Sequence, residues 1–237
     1  DHLLERLSGP PHPQPGPSVL ILVPTRELAM QVREEFQWLF AGVRGLRTEV
    51  VMGGTSVLME RKALARNPQI VVGTPGRTLD HIKGGAFSTA GIEHVALDES
   101  DRMLDMGFIH DIKKIIKQTP NERQTLFFSA TMPPNIRELS STILKEPIRV
   151  QIAAESSAAE TVDQKVYYVR QNDKKDLLVY ILGTDEISNA LVFTRTKFGA
   201  DKVVRHLQRN DIKAEAIHGN KSQPAREKAL NRFKKGN

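Results

Sequence analysis

The sequence predicts an α/β protein built on a doubly wound parallel sheet, with a second and smaller unit of the same kind behind it. Short apolar runs alternate with segments of helical periodicity along most of the 237 residues, the order that parallel sheets with covering helices produce. The run Val19–Val23 is apolar at every position, which is typical of a strand covered on both faces. A hydrophobic content of 39% and a charged content of 26% fit a globular chain.

The first predicted unit alternates strands and helices. Its strands are predicted at 19–23, 48–52, 69–72, 95–97, 124–128 and 148–152. Five helices are predicted between them. The first follows an N-cap at Thr25 and carries the apolar stripe Leu28, Val32, Phe36 and Leu39, and the second includes Leu58, Ala63 and Leu64. The third follows Thr74 with Pro75 in its first turn, the fourth spans 109–117, and the fifth follows Pro133 with Ile136, Leu139 and Ile143 on one face. Helices at this spacing pack an apolar stripe against a sheet.

The second predicted unit is shorter. Its strands are predicted at 165–169, 190–193 and 213–217, and its helices at 174–182, after Thr196 with Val203, Val204 and Leu207, and over 223–235. We therefore predict domains at 1–152 and 163–237, joined by a linker at 153–162. The first domain is predicted to begin with the tail of a helix at 1–7 and a proline-rich loop at 9–18. Three strands make a poor sheet by themselves, and we expect both units to be truncated.

Composition narrows the function. The net charge of +6 favours a polyanionic partner such as nucleic acid, and most of the excess positive charge follows residue 151. The chain has no cysteine, which excludes disulfides and thiolate metal sites and predicts a cytoplasmic location. Its seven histidines show no ligand spacing, which argues against a histidine-based metalloenzyme.

Three carboxylates, Asp98, Glu99 and Asp101, lie within four residues at the predicted end of a buried strand. Ligands of open parallel sheets bind beyond the carboxyl ends of the strands, and a carboxylate pair there suits hydrated Mg²⁺ and phosphoryl transfer. The same residues also suit an acidic helix N-terminus, where carboxylates favour the positive end of the helix dipole. These residues alone leave both interpretations open.

The other strand ends share a composition rich in glycine, hydroxyl groups or charge. The segments are 24–28, 53–54, 74–77 and 129–131. In a parallel sheet they emerge at one edge, where helix N-termini present free N–H groups to phosphates. Together with the acidic strand end, they favour nucleotide and nucleic-acid binding over ordinary turns.

At this point the sequence resembles the DEAD-box RNA helicases, a superfamily 2 family, and most closely the bacterial RhlE-type group. The resemblance rests on ordered motifs that cover essentially the whole chain: Pro24-Thr25-Arg26-Glu27-Leu28, Gly53-Gly54, Thr74-Pro75-Gly76-Arg77, Asp98-Glu99-Ser100-Asp101, Ser129-Ala130-Thr131, Leu191–Lys197 and His218–Gln223. The resemblance implies two RecA-like domains that close on ATP and RNA.

It also implies roles for single residues. Asp98 would hold the Mg²⁺ of bound ATP through water, Glu99 would activate the attacking water, and Asp101, Ser129 and Thr131 would link hydrolysis to strand separation. The implied RNA-binding residues are Pro24, Thr25, Arg26, Gly53, Gly54, Thr74, Pro75, Gly76 and Arg77 in the first unit and Thr194, Arg195, Gly219, Gln223 and Arg226 in the second. Contacts with the RNA backbone carry no base code, and ribonucleoprotein partners follow from the same resemblance.

The chain departs from the family pattern in two respects. Ser100 stands where the acidic motif usually has alanine, and we expect this extra hydroxyl to have a small effect. No Gly-x-x-x-x-Gly-Lys-Ser/Thr occurs in the chain; the family places that phosphate loop before Asp1 and its late arginine-rich motif after Asn237. We therefore expect the middle of a longer helicase, inactive by itself toward ATP.

Three functions remain open on the sequence. The favoured one is ATP-dependent RNA unwinding or ribonucleoprotein remodelling. The alternatives are an RNA-binding or scaffold module that does not turn over ATP, and a DNA-directed relative with the same fold.

Overall fold

The structure is a computed structural model that describes residues 16–151, 162–184 and 187–236. The described residues form two compact units, and the chain passes from one to the other between residues 151 and 162. The predicted linker up to residue 161, the proline-rich loop before residue 16 and the predicted N-terminal helix lie outside the described residues. Each unit is considered by itself.

The first unit is built on a five-stranded parallel sheet with the order β2-β3-β1-β4-β5. Its strands are β1 (Val19–Leu22), β2 (Thr48–Val51), β3 (Ile70–Gly73), β4 (His94–Leu97) and β5 (Gln124–Phe127). The pairing is flush: Leu22 at the end of β1 lies opposite both Gly73 and Leu97. All five carboxyl ends therefore reach one edge of the sheet at the same level.

Helices cover both faces of this sheet. They are α1 (Arg26–Leu39), α2 (Val57–Leu64), α3 (Pro75–Lys83), α4 (Ser100–Asp105), α5 (Ile109–Ile116) and α6 (Pro134–Ile143). One buried cluster includes Leu20, Leu22 and Leu97 from the sheet, and a second includes Val19 and Ile21. Alternate residues of β1 thus enter opposite clusters, as the strand pleat requires. The doubly wound α/β prediction is confirmed.

Two predicted apolar stripes are partly wrong. Leu28, Val32 and Phe36 of α1 pack against the sheet, but Leu39 is 61% exposed and Phe40, the next residue, is buried instead. The α1 stripe shifts by one position because the helix ends at Leu39. On α2, Leu64 is buried whereas Leu58 is 63% exposed.

The predicted strand at 148–152 is wrong over residues 148–151, which form no ladder and leave Ile148 and Val150 exposed; residue 152 lies outside the described part. An extended segment becomes a strand only when a neighbour accepts and donates its backbone hydrogen bonds. Along residues 16–151, β5 pairs only with β4, and its other side remains an edge.

The second unit contains three helices within its described residues: α7 (Lys174–Leu182), α8 (Lys197–Gln208) and α9 (Gln223–Lys234). Thr196 caps α8 by accepting a hydrogen bond from the backbone N–H of Gly199 at 3.0 Å, as its sequence predicts. The helices predicted at 174–182 and 223–235 lie within one residue of their observed ends, and α8 begins after Thr196 as predicted.

The three strands predicted in this unit are wrong. Residues 165–169, 190–193 and 213–217 carry no strand ladder, and Tyr168 and Phe193 are exposed. A helix satisfies its hydrogen bonds internally, whereas a strand depends on a partner, and no partner strand is paired with these segments in the described part of the chain. The sheet predicted for this unit is therefore absent from its described residues.

No helix among the described residues combines the length and apolar composition that a membrane span requires.

Candidate functional site

The candidate site begins at the carboxyl edge of the sheet, between β1 and β4. The chain moves from β1 to β2 and β3 on one side and to β4 and β5 on the other, so strand order reverses here. Such a reversal opens a crevice beyond the strand ends, where parallel sheets bind ligands. The backbone N–H of Asp98 donates to the carbonyl of Leu22 at 3.0 Å, and the acidic turn starts at this crevice.

Glu99 holds an unusual backbone conformation within the acidic turn. Its φ of 49° and ψ of 51° lie in the left-handed region, which residues other than glycine and asparagine rarely adopt. The backbone N–H of Glu99 donates to Asp98 Oδ1 at 2.9 Å, which stabilises the turn locally. Its side chain is 46% exposed, with Oε2 4.0 Å from Arg102 Nε. Backbone strain of this kind concentrates at functional sites.

Ser100 anchors the turn from inside the protein. It is fully buried, its backbone N–H donates to the carbonyl of Phe128 at 3.0 Å, and its hydroxyl donates weakly to the carbonyl of Leu97 at 3.4 Å. The hydroxyl that distinguishes this residue from alanine therefore has an acceptor, which agrees with the small effect expected from the sequence.

Asp101 binds the segment that follows β5. Its Oδ2 accepts hydrogen bonds from the backbone N–H of Thr131 at 3.0 Å and from the Thr131 hydroxyl at 2.8 Å. The Ser129 hydroxyl accepts from the backbone N–H of Asp101 at 3.2 Å and donates to the Thr131 carbonyl at 2.7 Å. The structure thus joins the three residues that the resemblance grouped, although they lie some thirty positions apart.

These contacts set the charge state of Asp101. Partial burial raises the pKa of its carboxyl, but the hydrogen bonds from Thr131, Arg102 and Ser129 together lower the pKa by more than burial raises it. The pKa of Asp101 therefore lies below its usual value. Hydrogen bonds that favour the charged form act in this direction. Asp101 is accordingly an ionised acceptor at neutral pH.

The acidic turn offers too few side-chain ligands to hold a metal ion without a bound nucleotide. The described residues contain no group of three or more side chains able to hold a metal by themselves. Asp98 and Glu99 are half-buried carboxylates at the crevice. Mg²⁺ commonly keeps several waters and is held by one or two carboxylates and substrate phosphates. The donor set is therefore compatible with Mg²⁺ bound together with a nucleotide.

A second group of predicted residues meets on the other side of the crevice. A Cβ atom added to Gly54 would lie 2.2 Å from Arg26 Nη1, and one added to Gly53 would lie 3.2 Å from Arg26 Nη2. The Arg26 guanidinium therefore lies directly on the glycine backbone, and the φ of 85° at Gly54 also favours glycine. Thr25 accepts a hydrogen bond from the backbone N–H of Leu28 at 3.2 Å and caps α1, while Pro24 is part of the turn between β1 and α1.

The third predicted loop leads into α3. Thr74 is buried and its backbone N–H donates to the carbonyl of Val51 at 3.1 Å. Thr74 precedes Pro75 at the helix start, but its hydroxyl makes no capping bond. A Cβ at Gly76 would meet only Asp111 Oδ2 at 3.8 Å, so space is not the reason for glycine there.

Glu60 is a buried residue that the sequence analysis missed. Its Oε1 accepts from the backbone N–H of Met52 at 3.0 Å and from the Thr55 hydroxyl. Its Oε2 lies 2.7 Å from Arg77 Nη1 and 2.6 Å from His81 Nε2. Glu60 is 6% exposed and His81 1%. We call these five residues the Glu60 cluster.

The Glu60 cluster lowers the pKa of its carboxylate. Burial raises that pKa, but the hydrogen bonds from His81, Thr55, Met52 and Arg77 outweigh the burial, so the pKa lies below its usual value. One sequence signal was available: Arg77 and His81 are four residues apart and so share a face of α3. Glu60 itself looked like an ordinary surface residue of a short helix.

The predicted residues of the second unit lie in two neighbouring loops and on α9. The Thr194 hydroxyl donates to the carbonyl of Thr196 at 3.0 Å. Gln223 Nε2 donates to Glu227 Oε1 at 3.1 Å, and Arg226 Nη1 to Gln223 Oε1 at 3.5 Å. A Cβ at Gly219 would meet nothing within 4 Å, and Arg195 is exposed.

The two loops are joined by contacts that the sequence did not predict. Lys197 Nζ donates to Asn220 Oδ1 at 3.0 Å. Asp201 Oδ1 lies 3.0 Å from Lys221 Nζ and 3.2 Å from His218 Nε2. The bond from Lys221 and the contact with His218 lower the pKa of Asp201. The loops after residues 193 and 217 are thus held side by side.

Comparisons with known proteins identify the family. Residues 2–139 match the family model described as DEAD/DEAH box helicase, and residues 173–237 match the model described as helicase conserved C-terminal domain. Two relatives named as CshA RNA helicases, from Streptococcus pneumoniae and Listeria monocytogenes, are 43% and 42% identical over 92% of this chain and 41% and 42% of their own length. Escherichia coli DeaD is 39% identical over 93% of this chain and 35% of its own length.

A solved structure of a DEAD box protein from the hyperthermophile Methanococcus jannaschii is 37% identical, with a TM-score of 0.55, over 93% of this chain and 59% of that chain. The chain spans about two fifths of the length of the curated relatives it matches. The relatives named here are CshA and DeaD proteins, and the likeness to the RhlE-type group stays a prediction.

Proposed function

The chain belongs to the DEAD/DEAH box helicase family, and we propose that the complete protein is an ATP-dependent RNA helicase that couples ATP hydrolysis to RNA duplex unwinding or to RNA–protein remodelling. One observation carries the proposal. Asp101 hydrogen-bonds Thr131 at the same sheet edge where Arg26 lies on Gly54. A site for phosphoryl transfer and a surface for a phosphate backbone thus share one structural edge.

In this proposal the acidic turn acts on ATP. Asp98 holds Mg²⁺ through water, and Glu99 orients the attacking water and accepts its proton. When bound, Mg²⁺-ATP supplies the transferable phosphoryl group and the neutralising charge. The left-handed backbone of Glu99 sets the direction in which its side chain leaves the turn, and Ser100 anchors the turn to the end of β5.

Asp101, Ser129 and Thr131 form the proposed link between hydrolysis and strand separation. Asp101 follows Glu99 by two residues, and its carboxylate holds Thr131 through two hydrogen bonds. A displacement of the acidic turn is therefore transmitted to the segment after β5. The contact is direct and short, so the two segments move together.

The RNA is proposed to bind through its backbone. In the first unit the proposed residues are Pro24, Thr25, Arg26, Gly53, Gly54, Thr74, Pro75, Gly76 and Arg77. Pro24, Thr74 and Pro75 are buried, so they shape the loops and the other residues form the exposed surface. Three exposed or partly exposed glycines and two arginines suit close approach and charge-assisted bonds to phosphates. In the second unit the proposed residues are Thr194, Arg195, Gly219, Gln223 and Arg226. We further propose ribonucleoprotein partners, a cytoplasmic location and domains at 1–152 and 163–237.

Stimulated ATP hydrolysis tests this function. ATP turnover by the complete protein is measured with single-stranded RNA and with DNA of the same sequence, at one stated salt concentration because backbone binding depends on salt. We expect RNA to stimulate turnover and DNA to stimulate it far less. Equal stimulation by both would favour the DNA-directed relative.

A second candidate is an RNA-binding or scaffold module without turnover. These 237 residues contain no Gly-x-x-x-x-Gly-Lys-Ser/Thr, the loop that cradles phosphates in many nucleotide-binding domains, and a complete protein without that loop would be such a module. RNA binding by the complete protein without RNA-stimulated phosphate release would support this candidate over the helicase.

A further inference from the structure

The Glu60 cluster brackets the glycine pair and reaches the next RNA-binding loop. Met52 and Thr55, the two donors to Glu60 Oε1, flank Gly53 and Gly54 on either side. The donors to Oε2 come from α3, which follows the Thr74 loop. One buried carboxylate therefore connects two loops that are separate in sequence.

We propose that Glu60 is a positioning residue for RNA binding, which fixes Arg77 and the Gly53–Gly54 loop in a single arrangement that matches the phosphate backbone. The inference rests on the proposed function, because it assigns a role within that RNA-binding edge. Glu60 is buried and does not itself contact RNA in this proposal. It acts through the groups that it holds.

The geometry at Arg77 supports a positioning role. Arg77 Nη1 contacts both Glu60 Oε2, at 2.7 Å, and the Thr55 carbonyl, at 3.4 Å. A guanidinium is planar and rigid, so fixing one nitrogen fixes the direction of the whole fork. The side chain, 16% exposed, is thereby ordered before RNA arrives and loses little entropy on binding.

The glycine loop gains the same advantage. Gly54 has a left-handed φ, and Arg26 lies on its backbone. A loop with two glycines has many conformations when unrestrained. Bonds from Met52 and Thr55 to one carboxylate select one of them. Glu60 thus holds the backbone on which Arg26 lies.

Four donors on one carboxylate explain why an amide cannot replace it. Gln has a single acceptor oxygen and an NH₂ donor, so a Gln at this position would face the donors Arg77 and His81 with unmatched groups. A neutral side chain also removes the charge-assisted bond to Arg77. Glu60→Gln keeps the volume of the side chain and changes its charge and its hydrogen-bond pairing.

The test measures binding of the 237-residue chain to a fluorescently labelled oligouridylate by anisotropy over a range of salt concentrations. We expect Glu60→Gln to weaken binding roughly tenfold, the effect of losing a hydrogen bond to a charged group. We also expect the salt slope to fall by about 0.7, because one phosphate contact of a single strand is lost. A merely structural role would leave this slope unchanged.

Two further variants and a control complete the test. Thr55→Val keeps the Glu60 charge and side-chain size but removes the hydroxyl that contacts both Glu60 Oε1 and the Met52 carbonyl. Because a hydroxyl donates only one proton, we expect binding to weaken about threefold, the effect of one hydrogen bond. The double variant Glu60→Gln with Arg77→Gln should bind within about threefold of Arg77→Gln alone, since residues acting as one unit are not additive. Glu122→Gln removes the same charge from an exposed residue before β5, at the amino edge of the sheet, and should bind as the wild type does.

The outcomes separate the inference from the proposed function. If neither the wild-type chain nor the complete protein binds oligouridylate, the RNA-binding function itself is contradicted. If only the complete protein binds, the same variants are compared in it. If it binds and Arg77→Gln weakens it, but folded Glu60→Gln and Thr55→Val retain both affinity and slope, the positioning role alone is wrong. Fully additive losses in the double variant would also overturn it. Thermal unfolding confirms that each variant is folded at the assay temperature.

Discussion

At the scale of single residues, the acidic turn depends on Glu99, whose left-handed backbone is uncommon for a residue with a long side chain. In the complete protein we expect Glu99→Gln to abolish ATP hydrolysis and leave ATP binding largely intact, because an amide cannot accept the proton of the attacking water. Phosphate release and equilibrium binding of a fluorescent ATP analogue measure the two properties separately. Turnover near that of the wild type would remove Glu99 from the catalytic role.

Asp101 provides a prediction about stability. Asp101→Asn replaces an acceptor of two hydrogen bonds from Thr131 with an amide, and we expect a loss of about 1 kcal/mol at neutral pH. Urea unfolding of the chain measures it. Asp105→Asn, on the exposed side of the same helix, removes the same charge and is expected to change stability by less than about 0.5 kcal/mol.

The difference between Asp101→Asn and the wild type depends on pH. The pKa of Asp101 is lowered in the folded chain, so the wild type keeps its full advantage above the unfolded pKa of about 3.9. That advantage is lost as the pH falls through the lower folded pKa. When urea unfolding is repeated from about pH 6 down to about pH 3, the free energies of unfolding of the two proteins should therefore converge. A constant difference would contradict the role of the charged form.

The sequence could identify some of these residues but not their contacts. Asp98 and Glu99 stand out because charge follows a buried apolar run. The bonds from Asp101 to Thr131 join distant positions, and only the resemblance grouped them. Glu60 escaped notice because burial of an acid depends on donors from Met52 and α3, which no local pattern reveals.

At the scale of elements, α1 and α2 both follow a residue with a hydroxyl side chain, but only one of these residues makes a capping hydrogen bond. Thr25 accepts a capping hydrogen bond at the start of α1, whereas Ser56 at the start of α2 makes none. Thr25→Ala should therefore cost about 1 kcal/mol, and Ser56→Ala less than about 0.5 kcal/mol. Urea unfolding monitored by far-ultraviolet circular dichroism compares them. Equal losses would mean that the capping bond at Thr25 contributes nothing.

Helices were predicted better than strands, for a physical reason. The ends of α6 and α7 follow from local signals, such as Pro134 in the first turn and Gly183 after the last. The strands β1 to β5 were also predictable, because their neighbours are in the same unit. The apolar segment at 190–193 has the composition of a strand but no paired neighbour among the described residues, and composition cannot supply one.

At the scale of the whole molecule, the acids proposed to act on ATP and the residues proposed to bind RNA are present, while the phosphate-cradling loop motif does not occur in these 237 residues. Backbone N–H groups and a lysine of that loop normally hold the β and γ phosphates. Without such a cradle the γ-phosphate cannot be positioned for attack, and positioning accounts for most of the catalysis in phosphoryl transfer.

We therefore expect the purified 237-residue chain to show no RNA-stimulated ATP turnover, although it binds the oligouridylate. Phosphate release is measured with and without RNA, beside the complete protein as a positive control. The same chain carrying Glu99→Gln is prepared in parallel, because any turnover common to both preparations comes from contaminating enzymes. RNA-stimulated release that the wild-type chain shows and the Glu99→Gln chain lacks would contradict the prediction. In that case residues within the chain would have to hold the phosphates, and the helix N-termini at the carboxyl edge, starting with α3 behind Thr74 and Pro75, would be the first to examine.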